Sequence, residues 1–143
     1  VPFLVVGPNV NAGAKIDAPI YLQDVVPTAL ELAGAPVDGV DFKSLLPLLE
    51  NEQAGHYDAI YGAYLDRQRM VSKGDWKLIS YPTIGVERLF NLKKDPNEMN
   101  DLVNNPEYTV KLNELRAGLS DLSKRMDDPL LGGTTVKQRR KRK

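Results

Sequence analysis

The sequence predicts a mixed α/β chain that changes character midway, from an α/β opening to a small antiparallel sheet packed by a C-terminal helix. Three observations predict this. A short helix with both ends marked, Asp24 to Gly34, lies between extended segments. Two strand-like runs, Arg69 to Ser72 and Trp76 to Tyr81, flank the compact glycine turn Lys73-Gly74-Asp75. Tyr108, Leu112, Leu115, Leu119, Leu122 and Met126 recur at alternating spacings of four and three, the stripe of an amphipathic helix.

Taken in order, Val1 to Val6 is a short apolar run that reads as a strand buried on both faces of a sheet, and Gly7-Pro8-Asn9 ends it. The start lacks Met and resembles a strand cut from a longer chain. Val10 to Ile16 is loop; Ala18 to Leu22 leads extended into the helix. There Asp24 is expected to cap the first turn, Pro27 is tolerable only in that turn, and Gly34 stops the helix in the left-handed conformation. Val25, Ala29, Leu32 and Ala33 share a face, so this helix must pack on something larger than itself. A Pro/Gly loop, Ala35 to Asp41, precedes one or two helical turns at Ser44 to Leu49, and the polar stretch Glu50 to Gly55 is a candidate boundary. Tyr57 to Tyr64 is rich in strand formers, Glu87 to Leu92 alternates, and Asp95-Pro96-Asn97-Glu98 is a turn. The helix from Pro106 to about Met126 either docks on the small sheet or forms a coiled coil; a sheet that needs covering favours docking. Asp128-Pro129 ends it, and Gly132-Gly133 opens a tail expected to be disordered.

Composition bounds the function. Lys plus Arg and Asp plus Glu both number 19, so no global field draws in nucleic acid or anionic membrane. Six of the last seven residues, Lys137 to Lys143, are nevertheless basic, which leaves the rest of the chain acidic. That tail admits contact with phosphates or acidic polysaccharide, although most such runs are simply solvated. The chain has no cysteine, which removes disulfides and thiolate chemistry from it. No apolar run approaches the roughly 20 residues that span a bilayer.

Val1 to Pro8, the run from Ala18 to Gly34, Ser44 to Leu49, Gly74 to Ile79, and Leu89 to Leu92 through Asp95 to Glu98 with Asn100-Asp101-Leu102 together resemble the C-terminal portion of a formylglycine-dependent sulfatase. The resemblance covers about residues 1 to 131. It implies that 1–52 are the last strand and helices of a large alkaline-phosphatase-like α/β domain, 53–131 a C-terminal subdomain of antiparallel sheet plus helix, and 132–143 a basic tail. The helix at Asp24 would then lie on a sheet largely absent here, leaving Val25, Ala29 and Leu32 under-buried in this chain. Also implied are hydrolysis of sulfate esters or sulfamates of a sulfated carbohydrate, calcium and formylglycine in the parent enzyme with neither bound by this chain, an upstream catalytic domain as partner, no membrane or nucleic-acid partner, and a periplasmic or secreted location. The nucleophile motif, Cys/Ser-x-Pro-x-Arg, has no true match: Ser80-Tyr81-Pro82-Thr83-Ile84 carries Ile84 where arginine is required. Two other readings stay open, a non-catalytic glycan-binding module and part of a related phosphoesterase.

In this family the small subdomain lends polar side chains to the substrate pocket, which makes His56, Tyr64 and Arg67 candidates for a substrate-binding rim. His56, the single histidine, reads equally as a packing residue. Arg67 and Arg69 have the forked geometry that matches sulfate or carboxylate, or they pair with Asp66, Asp75 or Glu87 across the hairpin. Trp76 with Tyr57, Tyr61, Tyr64 and Tyr81 form either a stacking platform or cross-strand core pairs. Asp24 reads as a helix cap rather than a metal ligand, and Asp38, Asp41 and Asp58 lack the spacing of a calcium loop.

Overall fold

The computed structural model describes residues 3–8, 10–50 and 55–130. The start at Val1-Pro2, residues 51–54 of the predicted boundary and the basic tail lie outside the described residues. The chain forms two compact units, Val1–Asp58 and Ala59–Lys143.

In the first unit, helix α1 (Val25–Leu32) continues a 3₁₀ turn at Leu22–Asp24, and α2 (Leu46–Glu50) follows a loop. Gly34 ends α1 at φ +66°, with the Ala35 N–H reaching back to the Leu30 carbonyl at 2.9 Å. Phe3 to Val6 forms no strand; Leu4 and Val6 are 89% and 97% exposed. An apolar run becomes a strand only where a neighbour completes the ladder, and the described residues of this unit contain no strand. Helix α1 faces the opposite way from a self-contained core helix. Val25, Val26, Ala29 and Leu32 are exposed, while Asp24, Pro27 and Thr28 are buried.

The second unit is a four-stranded antiparallel meander, β1 (Ile60–Tyr64), β2 (Gln68–Lys73), β3 (Trp76–Tyr81) and β4 (Val86–Asn91), in the order β1-β2-β3-β4. Helix α3 (Thr109–Arg125) packs on one face. Because side chains alternate at period two, pairing in register puts Tyr61, Val71, Leu78 and Leu89 in one row across all four strands. Leu112, Leu115 and Leu119 of α3 close over that row. Tyr108 and Leu122 pack beside it, and Met126, at the end of the predicted stripe, is 41% exposed. The aromatic residues do not make a stacking platform. Trp76 meets Tyr108 with ring centroids 5.2 Å apart, Tyr61 is buried, and Tyr57 belongs to the first unit.

Loop chemistry fixes the edges. At β4 the Leu89 N–H donates to Asp101 Oδ1 (3.0 Å), and the Leu89 carbonyl accepts from the Leu102 N–H (2.8 Å), so Asp101-Leu102 caps an otherwise open edge. Gly74 turns β2 into β3 at φ +55°. A Cβ there meets nothing within 4 Å, so Gly74→Ala tests backbone conformation alone. It is expected to lower stability by about 1 kcal/mol, read as a shift in urea midpoint, and an unchanged midpoint would show that the turn relaxes freely.

Candidate functional site

Two buried polar clusters, one in each unit, decide how the candidate residues are held. In the first unit Asp24 is fully buried at the centre of a knot joining three segments. Its carboxylate accepts hydrogen bonds from the Tyr21 N–H (2.8 Å), the Tyr57 hydroxyl (2.7 Å) and the Lys43 N–H (3.3 Å). His56 Nε2 stands 3.2 Å from Oδ2 of the same carboxylate, within hydrogen-bond reach. Thr28 extends the knot: its hydroxyl donates to the Asp24 carbonyl (2.6 Å) and accepts from the Leu45 N–H (2.8 Å). Lys43 Nζ bonds the His56 carbonyl and lies over the Tyr57 ring, 4.7 Å from its centroid.

Asp24 is therefore not the predicted cap of α1: its side chain makes no bond to the first turn of that helix. The helical path begins one 3₁₀ turn earlier, so Asp24 reaches back to the Tyr21 N–H rather than forward along α1. Its remaining acceptor capacity then serves residues 19 to 33 positions away. Burial and the bond to Asp24 push the Tyr57 hydroxyl up to about 12, so Tyr57 remains a donor throughout the neutral range.

In the second unit Arg69 and Asp128 are buried together, 3% and 6% exposed. Arg69 Nε and Nη2 donate to the Asp128 carboxylate at 2.6 and 3.1 Å, a forked pair. The Tyr61 hydroxyl donates to the same carboxylate at 2.7 Å, and the Leu130 N–H at 2.8 Å. Burial raises the Asp128 carboxyl, but its bonds from Arg69, Tyr61 and Leu130 outweigh that and hold it below the usual carboxylate range. Burial and the Asp128 bond likewise push the Tyr61 hydroxyl up. The partner of Arg69 is thus Asp128, beyond the end of α3, and none of Asp66, Asp75 or Glu87. Helix α3 stops because Asp127 takes a left-handed φ of +47°, which turns the Asp128 N–H back to the Ser123 carbonyl (2.9 Å) and aims its side chain inward.

Tyr64 and Arg67 come together at the β1–β2 turn, both exposed, with the Arg67 N–H donating to the Tyr64 carbonyl (3.2 Å). Among the described residues no ion pair engages the Arg67 guanidinium. His56 lies in the other unit, 9% exposed and packed edge-on against Tyr57 with ring centroids 4.6 Å apart. Among the described residues, no group of three or more His, Cys, Asp or Glu is placed to hold a metal ion, and no helix is long and apolar enough to cross a membrane. Lys43 carries no signal in the linear sequence, and the signals read at Tyr57 and Asp128, a strand former and a helix end, say nothing of the clusters they complete.

The sequence model of the family described as N-sulphoglucosamine sulphohydrolase, C-terminal, matches residues 1–125. Arylsulfatase K of Danio rerio is 31% identical over 134 residues, covering 85% of this chain and 26% of that protein. An arylsulfatase of Clostridium perfringens is 33% identical over 125 residues, covering 81% of this chain and 26% of that protein. This chain therefore spans about a quarter of the length of these relatives. Among solved structures, BT4656 in complex with its substrate D-glucosamine-2-N,6-O-disulfate superposes with a TM-score of 0.68 at 32% identity, over 73% of this chain and 24% of that one.

Proposed function

The chain belongs to the N-sulphoglucosamine sulphohydrolase C-terminal family, and we propose that it is the C-terminal part of a sulfatase that hydrolyses sulfate esters or sulfamates of a sulfated carbohydrate. The observation that carries this reading is the family match over residues 1–125, supported by the likeness to a structure whose substrate is a disulfated glucosamine. In this reading an upstream catalytic domain supplies the nucleophile and metal ligands. Formylglycine and calcium are the family's expected groups, and among the described residues none is placed to supply either. There is no cysteine, Ser80 lies within β3 without the required arginine, and the described residues hold no metal-binding cluster. No step of the chemistry is therefore assigned to this chain.

Its proposed roles are scaffold and pocket rim. The exposed face of α1, with Val25, Ala29 and Leu32, is proposed to be covered by the upstream domain, because leaving so much apolar surface in water is unfavourable. Tyr64 and Arg67 are the side chains proposed to reach the sugar: both are exposed on one turn, and the guanidinium matches a sulfate or carboxylate. His56, enclosed against Asp24, is assigned to holding its own unit together.

The test is sulfate release, followed by ion chromatography, from glucosamine N-sulfate and glucosamine 6-sulfate by the intact protein that contains this chain. Release from either supports the reading. Phosphate release from phosphomonoesters without sulfate release would move the protein to the phosphoesterases, and glycan binding without any hydrolysis would make it a binding module.

A further inference from the structure

The geometry points to Arg69 and Asp128 as positioning residues that set the β1–β2 turn and so fix where Arg67 presents its charge to an anionic group of the substrate. This rests on the rim reading of Tyr64 and Arg67. The turn is short, and Leu65 within it holds φ +48°, a conformation that non-glycine residues adopt only when their surroundings impose it. Arg69 supplies the constraint. Its Nη1 donates to the Leu65 carbonyl and to the Gln68 carbonyl, both at 2.8 Å, so one guanidinium edge ties the backbone on either side of Asp66-Arg67.

The other edge of that guanidinium is locked. Nε and Nη2 are committed to Asp128, which is itself anchored by the Tyr61 hydroxyl, the Leu130 N–H and the Ser123 carbonyl. Rigid contacts thus run from the end of α3 through Asp128 and Arg69 to the turn. Burial also separates the duties of the two arginines. Arg69 is 3% exposed with its charge matched, so it does not bind substrate, whereas Arg67 is exposed and unpaired among the described residues. The ligand chemistry this suits is a sulfate or carboxylate on a sugar, met by one guanidinium of fixed direction.

The experiment is steady-state kinetics of the intact protein on the sulfated glucosamine it hydrolyses, with thermal melting of each variant. Arg67→Ala is expected to raise KM about tenfold with kcat little changed, as removal of a uniform binding contact does. Arg69→Lys keeps a cation opposite Asp128 but lacks the fork that reaches both carbonyls, and is expected to raise KM several-fold. In the Arg67→Ala background Arg69→Lys should add nothing further, because its effect passes through Arg67. Tyr61→Phe loosens Asp128 while leaving the pair intact, and should show a smaller KM rise that also vanishes in that background; it carries the test if Arg69→Lys does not fold. If Arg67→Ala leaves KM unchanged, the rim reading fails. If Arg67→Ala raises KM while Arg69→Lys and Tyr61→Phe do not, or if their effects persist without Arg67, the rim stands and the positioning role is overturned.

Discussion

Asp24→Ala is expected to destabilise the first unit by about 3–5 kcal/mol, among the largest effects of any single substitution in this chain. The estimate follows from the polar groups left behind. The Tyr21 N–H, the Lys43 N–H, the Tyr57 hydroxyl and His56 Nε2 all face the Asp24 carboxylate, which is 0% exposed. A buried donor without an acceptor costs roughly 1–3 kcal/mol, and partial hydration on relaxation recovers some of the sum. Asp24→Asn separates charge from shape: the amide retains one acceptor oxygen but points N–H groups at other donors, so it should recover less than half of the loss. Urea unfolding of the intact protein followed by hydrogen exchange at Tyr21 and Lys43 reads both variants. A midpoint shift worth under about 1 kcal/mol for Asp24→Ala would show that the knot is dispensable.

Asp128→Ala is expected to cost a similar 3–5 kcal/mol in the second unit, because it strands the buried Arg69 guanidinium without a counter-charge. Replacing both partners together, Arg69→Met with Asp128→Leu, should restore only part of that stability: the apolar pair has no desolvation penalty to offset, but the Tyr61 hydroxyl and the Leu130 N–H still lose their acceptor. The double variant would still lack the ties to the Leu65 and Gln68 carbonyls. Acid provides an independent readout. The folded carboxyl of Asp128 sits below its unfolded value, so its contribution is fully present above an unfolded pKa near 4 and is lost as pH falls through the folded one. Asp128→Asn should therefore flatten the acid limb of the stability curve below about pH 4 and leave its shape unchanged from pH 5 to 7. An acid limb of unchanged slope would mean that Asp128 is not the titrating group.

The second unit was largely legible in the sequence because its signals are local. A glycine turn, a period-two row and a helical stripe each specify an element without reference to anything distant, and the Asp95 turn follows from the same short-range chemistry, whereas the bond from Leu89 to Asp101, 12 positions away, was not legible. The first unit was legible in outline only. Gly34 ends α1 where expected, but Phe3 to Val6, an apolar run with the composition of a buried strand, has no ladder partner among the described residues of its unit. Asp24 shows the limit most clearly: cap propensity describes four residues of context, whereas its actual partners come from Tyr21, Lys43, His56 and Tyr57. Arg69 misled for the same reason, since three carboxylates lie nearer on the hairpin than Asp128, which only the left-handed stop at Asp127 turns inward. Pairing between buried charges is a property of the finished fold, and residue spacing carries little of it.

The meander joins each strand to its immediate successor, so most of the second unit can pair as soon as it has been synthesised. The bond from Tyr61 to Asp128, 67 positions apart, is of another kind. It ties β1 to residues past α3, so it can form only after α3 has left the ribosome, whereas the hairpins need no such wait. Asp128 is thus a completion contact: until it arrives, Arg69 must remain hydrated and the β1–β2 turn unset, and a chain truncated before it would have a formed sheet with a mobile turn.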